Sequence, residues 1–99
     1  MTTQVALSVN GTVIELDYFV AGFIHRVVEG ILAGLRGTGP VENLELSIDE
    51  KKQLKINLNN TIVPANPFVT EIVTSTIIGM VSPLKGIDRV DTLKITILR

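Results

Sequence analysis

Between Val5 and Leu16 apolar residues alternate with smaller or polar ones, Val5, Leu7 and Val9 before Asn10-Gly11 and Thr12, Ile14 and Leu16 after it. A period of two marks strands with one buried face. Asn-Gly tolerates positive φ at both central positions of a type I′ turn, so it closes a two-residue hairpin. The register follows: Val9 opposite Thr12, Leu7 opposite Ile14, Val5 opposite Leu16. After Asp17 the period changes. Val20, Phe23, Ile24, Val27, Val28, Ile31, Leu32 and Leu35 recur at helical spacing, with Gly22, His25, Arg26, Glu29 and Ala33 opposite, which predicts an amphipathic helix packed on one side. Leu44-Glu45-Leu46-Ser47-Ile48 then returns to strand alternation.

The same plan recurs 49 residues later without a gap. Sliding Gln4 to Ile48 onto Gln53 to Ile97 gives eleven identities, among them Asn10/Asn59, Phe19/Phe68, Gly30/Gly79, Gly37/Gly86 and Leu44/Leu93. Chance would supply about three, which points to an internal duplication. In the second copy Leu54, Ile56 and Leu58 face Thr61, Val63 and Ala65 across Asn59-Asn60, and Pro64, lacking a ladder donor, makes that strand an edge. Asp17 and Asn66 are N-caps, and Pro67 suits the first helical position. The second helix is rich in β-branched residues that favour strands; the repeat decides for helix. Both helices should end just before Gly37 and Gly86, with Arg36 and Lys85 near the C-terminal partial charge and Pro83 ending the second a turn early.

The expected architecture is therefore α+β: two tandem pseudo-symmetric ββαβ repeats, residues 4–48 and 53–97, forming one domain of residues 1–99 with six mainly antiparallel strands and two helices. Only Asp49 to Gln53 joins the copies. Keeping Ile48 and Leu54 on one face sets them opposite each other, so the junction is a hairpin rather than a linker. By pseudo-symmetry the last strand, Leu93 to Ile97, should lie beside the first.

Composition narrows the function classes. Apolar residues make up 45% and charged residues 19% of the 99, which describes one apolar, weakly charged globular domain. A net charge of −1 with scattered Lys and Arg lacks the basic footprint of a nucleic-acid binder. The absence of cysteine removes disulfides, thiolate metal sites and cysteine nucleophiles. No basic segment followed by an apolar one opens the chain, so no secretory signal is visible and the cytoplasm is the expected location. The most membrane-like run, Pro67 to Leu84, reaches only about 27 Å and includes Glu71, so no membrane span is expected.

Candidate chemistry is sparse. His25, Arg26 and Glu29 share one helix face, and His25 and Glu29 stand at i, i+4, where a carboxylate tunes an imidazole; the other reading is a solvated helix face. The glycines of Gly34-Leu35-Arg36-Gly37-Thr38-Gly39 follow a helix, whereas a phosphate cradle precedes one, so a C-cap and turn is the better reading. Gly30 and Gly34 form a GxxxG that serves either a close helix crossing or close packing on the sheet. Glu50-Lys51-Lys52 is the polar tip of the central hairpin. Asp88 with Asp91 is too little for calcium, and no cofactor or metal site is expected. The opening VALSVNGTVIEL resembles the first hairpin of small β-grasp sulfur carriers over about a dozen residues; the chain ends Ile97-Leu98-Arg99 where those carriers have a diglycine, so their function is not carried over.

What remains is a structural or interaction protein that self-associates, a homodimer being expected. The second helix carries Thr74, Ser75, Ile78 and Ser82 on its far side with Glu71 as the only charge, and Val13, Ile62 and Leu98 occupy outward strand positions. Either the other helix or a second copy must cover such groups. The alternative is a small-ligand-binding protein or enzyme using His25, Arg26 and Glu29.

Overall fold

A computed structural model describes residues 4–36, 42–84 and 86–98. Its elements follow the order β1 (Gln4–Val9), β2 (Thr12–Ile14), α1 (Tyr18–Arg36), β3 (Asn43–Ile48), β4 (Leu54–Leu58), β5 (Thr61–Ile62), α2 (Pro67–Val81) and β6 (Leu93–Leu98). The strands form one sheet in the order β2-β1-β6-β3-β4-β5, every pair antiparallel. The chain is thus an α+β protein of one sheet and two helices.

Both short hairpins turn as their residues require. Asn10 and Gly11 have φ of 53° and 82°, and Asn59 and Asn60 have 51° and 67°; these are the two left-handed positions of a type I′ turn. Leu7 pairs with Ile14 and Val9 with Thr12. The expected pairing of Val5 with Leu16 falls beyond β2, which stops at Ile14. β5 is shorter still; one more bond, from Val63 N–H to the Ile56 carbonyl at 2.9 Å, closes the ladder, and Pro64 follows at an edge position whose N–H would face away from β4. The central hairpin sets Ile48 opposite Leu54. In its loop the Asp49 side-chain oxygen accepts from the N–H groups of Lys51 and Gln53, both at 2.9 Å.

Each helix begins on a cap. Asp17 Oδ1 accepts from Val20 N–H and Asn66 Oδ1 from Val69 N–H, both at 2.8 Å, satisfying donors the first turn leaves open. α2 stays helical despite its β-branched content. The Thr76 and Ser82 hydroxyls donate back to the carbonyls of Ile72 and Ile78, each at 2.7 Å, the local i−4 bond open to Ser and Thr in a helical turn. The helix stops at Val81, ahead of Pro83. Gly86 keeps a left-handed φ of 87°, but in the loop beyond the helix rather than at its end. Gly37, Thr38, Gly39 and Lys85 lie outside the described residues.

The pleat sorts the sheet into two faces. Leu7, Ile95, Leu46 and Ile56 lie in one cross-strand row, with Val9, Leu93 and Ile48 in a second and Ile97, Leu44 and Leu58 in a third. All are buried and join one cluster with Ile24, Val28 and Leu32 of α1 and Val73, Ile77 and Val81 of α2. Both helices therefore cover the same face. On the other face run Ser8, Lys94, Ser47 and Lys55, then Ala6, Thr96, Glu45 and Asn57, with Lys94 Nζ 3.3 Å from Glu45 Oε2. Two layers account for the molecule's 18 Å thickness.

Candidate functional site

The α1 face read from the sequence is only partly assembled. His25 Nε2 stands 3.4 Å from Glu29 Oε2, with side chains 20% and 35% exposed, an arrangement fixed by the single helical turn between them. That separation is long for a hydrogen bond, and Nε2 is buried with no hydrogen-bond partner among the described residues. Arg26 is exposed and sits about 100° farther round the helix, so it does not join the pair. What stands together is an imidazole and a carboxylate.

Position 74 is the counterpart of position 25 at the 49-residue offset. Thr74 of α2 is 5% exposed and its Oγ1 is likewise buried with no hydrogen-bond partner among the described residues. Ile78, the counterpart of Glu29, is half-buried. Of the four residues read as the far side of α2, Thr74 is thus buried and Ile78 half-buried within the chain, whereas Ser75 and Ser82 are exposed.

Two shallow grooves lie elsewhere. One, of about 440 Å³, is lined by residues around the central hairpin including Asp49, Lys52 and Thr70. The other, of about 300 Å³, runs over Ser8, Ser47 and Lys94 on the open sheet face. Neither is lined by His25, Arg26 or Glu29. Among the described residues no group of three or more His, Asp or Glu is placed to hold a metal, and Asp91 is occupied by Arg89, Nε to Oδ1 at 2.8 Å.

The feature the sequence reading missed is aromatic. The chain has three Phe, one Tyr and no Trp, and all four rings are exposed: Tyr18 97%, Phe19 74%, Phe23 50% and Phe68 71%. Phe23 had been expected in the core stripe. The stripe is instead centred on Ile24 and Val28, both fully buried, which leaves Phe23 about 120° and Phe19 about 160° from its centre. Phe19 and Phe23 stack one turn apart, centroids 6.2 Å and planes 22°. Their counterparts on α2 are Phe68 and Ile72, and Ile72 is 51% exposed. The signal was present in the Phe19/Phe68 identity, since a repeated aromatic opposite the apolar stripe serves no core.

No protein-family model, curated protein or solved structure matches the chain.

Proposed function

We propose that the protein is a structural or interaction module that works by self-association, in the cytoplasm, and not by catalysis. The observation that carries this reading is the exposure of every aromatic side chain, Tyr18, Phe19 and Phe23 on α1 and Phe68 on α2, where Ile72 is exposed one turn on. Aromatic rings bring the largest apolar payload of any side chain and ordinarily go to cores and interfaces. Here the aliphatic residues complete the core alone, so the rings are left for an interface. Sedimentation equilibrium at micromolar concentration tests it: a dimer is expected, and a monomer at every concentration contradicts it.

We also propose that the chain is a duplicated ββαβ unit, and the strand order supports this. Exchanging each strand for its counterpart, β1 for β4, β2 for β5 and β3 for β6, turns the order β2-β1-β6-β3-β4-β5 into its own reverse. Leu46 pairs with Ile95, its own counterpart 49 residues on, as expected if a two-fold axis ran through the centre of the sheet. Superposing the two halves of an experimental structure tests this; dissimilar halves would end it.

The second reading, a small-ligand site or enzyme built on His25, Arg26 and Glu29, rests on the His25–Glu29 approach. A double His25→Ala, Glu29→Ala variant that keeps every ligand or activity found by screening would remove it.

A further inference from the structure

We infer that the partner is a second copy of this chain and that the two copies pair through their helix layers, α1 of each lying on α2 of the other about a two-fold axis. The inference rests on the self-association reading above and adds the surface to it. The outward direction of each helix is opposite its buried stripe. On α1 it carries Phe19, Phe23, Arg26 and Gly30; on α2 it carries Phe68, Glu71, Ile72 and Gly79, all exposed.

Three independent features of these faces fit each other. The doublets Phe19/Phe23 and Phe68/Ile72 occupy equivalent turns, so one can lie on the other in both halves of a symmetric pair. At roughly 200 Å² per large side chain, their exposed fractions offer on the order of 500 Å², and small neighbours extend this toward the ~800 Å² each partner gives a standard interface. The charges are complementary: Arg26 stands on the α1 face and Glu71 on the α2 face, and neither has an ion-pair partner among the described residues. Crossing α1 over the partner's α2 brings opposite signs together twice, whereas α1 on α1 would oppose two arginines.

The third feature is the helix glycines. A Cβ added at Gly30 or Gly79 would meet nothing within 4 Å, so packing inside the chain does not require glycine there, and the sheet-packing role considered for Gly30 is excluded. Glycine in an exposed helix interior nonetheless costs stability relative to alanine. A bare backbone on the outer face is what a second helix needs to approach closely.

The other surfaces fit less well. The edge strands β2 and β5 have three and two residues, too short for sheet extension. The open sheet face is polar and crossed by the Lys94–Glu45 pair, and its apolar residues Val13, Ile62 and Leu98 stand on three different strands.

Charge reversal tests the pairing on exposed residues whose substitution spares the fold, confirmed by unchanged circular dichroism. In sedimentation equilibrium, Arg26→Glu and Glu71→Arg should each raise the dimer Kd about tenfold or more, and the double reversal should restore it. Ile62→Asp, on the sheet face, should leave it unchanged. A wild-type monomer would overturn both this inference and the self-association reading. A wild-type dimer indifferent to both reversals, or dissociated by Ile62→Asp, would overturn the helix-layer pairing alone, as would association growing past two copies.

Discussion

Asn59 grips Asn43 twice: its backbone N–H donates to the Asn43 carbonyl at 2.7 Å, and its side-chain oxygen accepts from the Asn43 N–H at 3.0 Å and from the Glu42 N–H at 3.1 Å. Asn10 makes the corresponding grip on the far end of the chain, its N–H donating to the Thr92 carbonyl at 3.0 Å and its Oδ1 accepting from Asp91 and Thr92 at 2.7 and 2.9 Å. Each turn asparagine thus ties its hairpin to the loop that enters the neighbouring central strand. The residue works twice, once through a left-handed backbone and once through its amide.

Those two roles separate by substitution. Asn59→Gly keeps the positive φ and loses the acceptor, and should cost about 1 kcal/mol. Asn59→Ala loses the acceptor and strains the backbone, adding roughly another 1 kcal/mol. Urea unfolding at one fixed protein concentration reads the order wild type, Gly, Ala; no loss at Gly would mean that the side-chain bonds contribute nothing, and equal losses at Gly and Ala that the left-handed backbone costs alanine nothing.

The centre of the sheet should be the most sensitive place in the chain. Leu46 and Ile95 are fully buried opposite each other, so either one replaced by alanine should cost about 2–5 kcal/mol. Val13, 77% exposed, should tolerate alanine within about 0.5 kcal/mol. Thermal unfolding of the three variants checks the contrast, and a comparable loss at Val13 would place it under cover.

Thr74 offers a gain instead of a loss. Its hydroxyl is buried with no partner among the described residues, although Thr76 and the C-cap Ser82 bond back to the carbonyls of Ile72 and Ile78. Thr74→Val removes the unpaired group at nearly constant shape and should stabilise by about 1 kcal/mol, a rise of roughly 4–8 °C in Tm. A fall in Tm would show that the hydroxyl has a partner.

The glycines of the outer helix face trade folding against pairing. Gly30→Ala and Gly79→Ala, free of any clash within the chain, should each stabilise the monomer by roughly 0.5–1 kcal/mol while weakening the dimer. Unfolding in an Arg26→Glu background and sedimentation of the single variants measure the two effects separately. Stabilisation without weakened pairing would remove the glycines from the interface.

Much of the fold was legible because local chemistry and periodicity agreed. Asn10-Gly11 and Asn59-Asn60 set the hairpins, Asp17 and Asn66 set the helix starts, and alternation fixed the buried rows. β-branched α2 needed the repeat to read it, since its own residues argued for a strand. The site was less legible. A wide apolar stripe on α1 did not say which of its edges was covered, so Phe23 was assigned inward and His25 outward, and tertiary packing made the opposite choice: Phe23 is half exposed and His25 Nε2 is buried. No one-dimensional period carries that information, because it depends on what packs against each flank.

The most direct measurement of the central claim is an isotope-filtered NOE experiment on a mixture of ¹³C-labelled and unlabelled protein. Pairing through the helix layers predicts intermolecular NOEs from the Phe19 and Phe23 rings to Phe68 and Ile72. Intermolecular NOEs confined to Val13, Ile62 and Leu98 would contradict it.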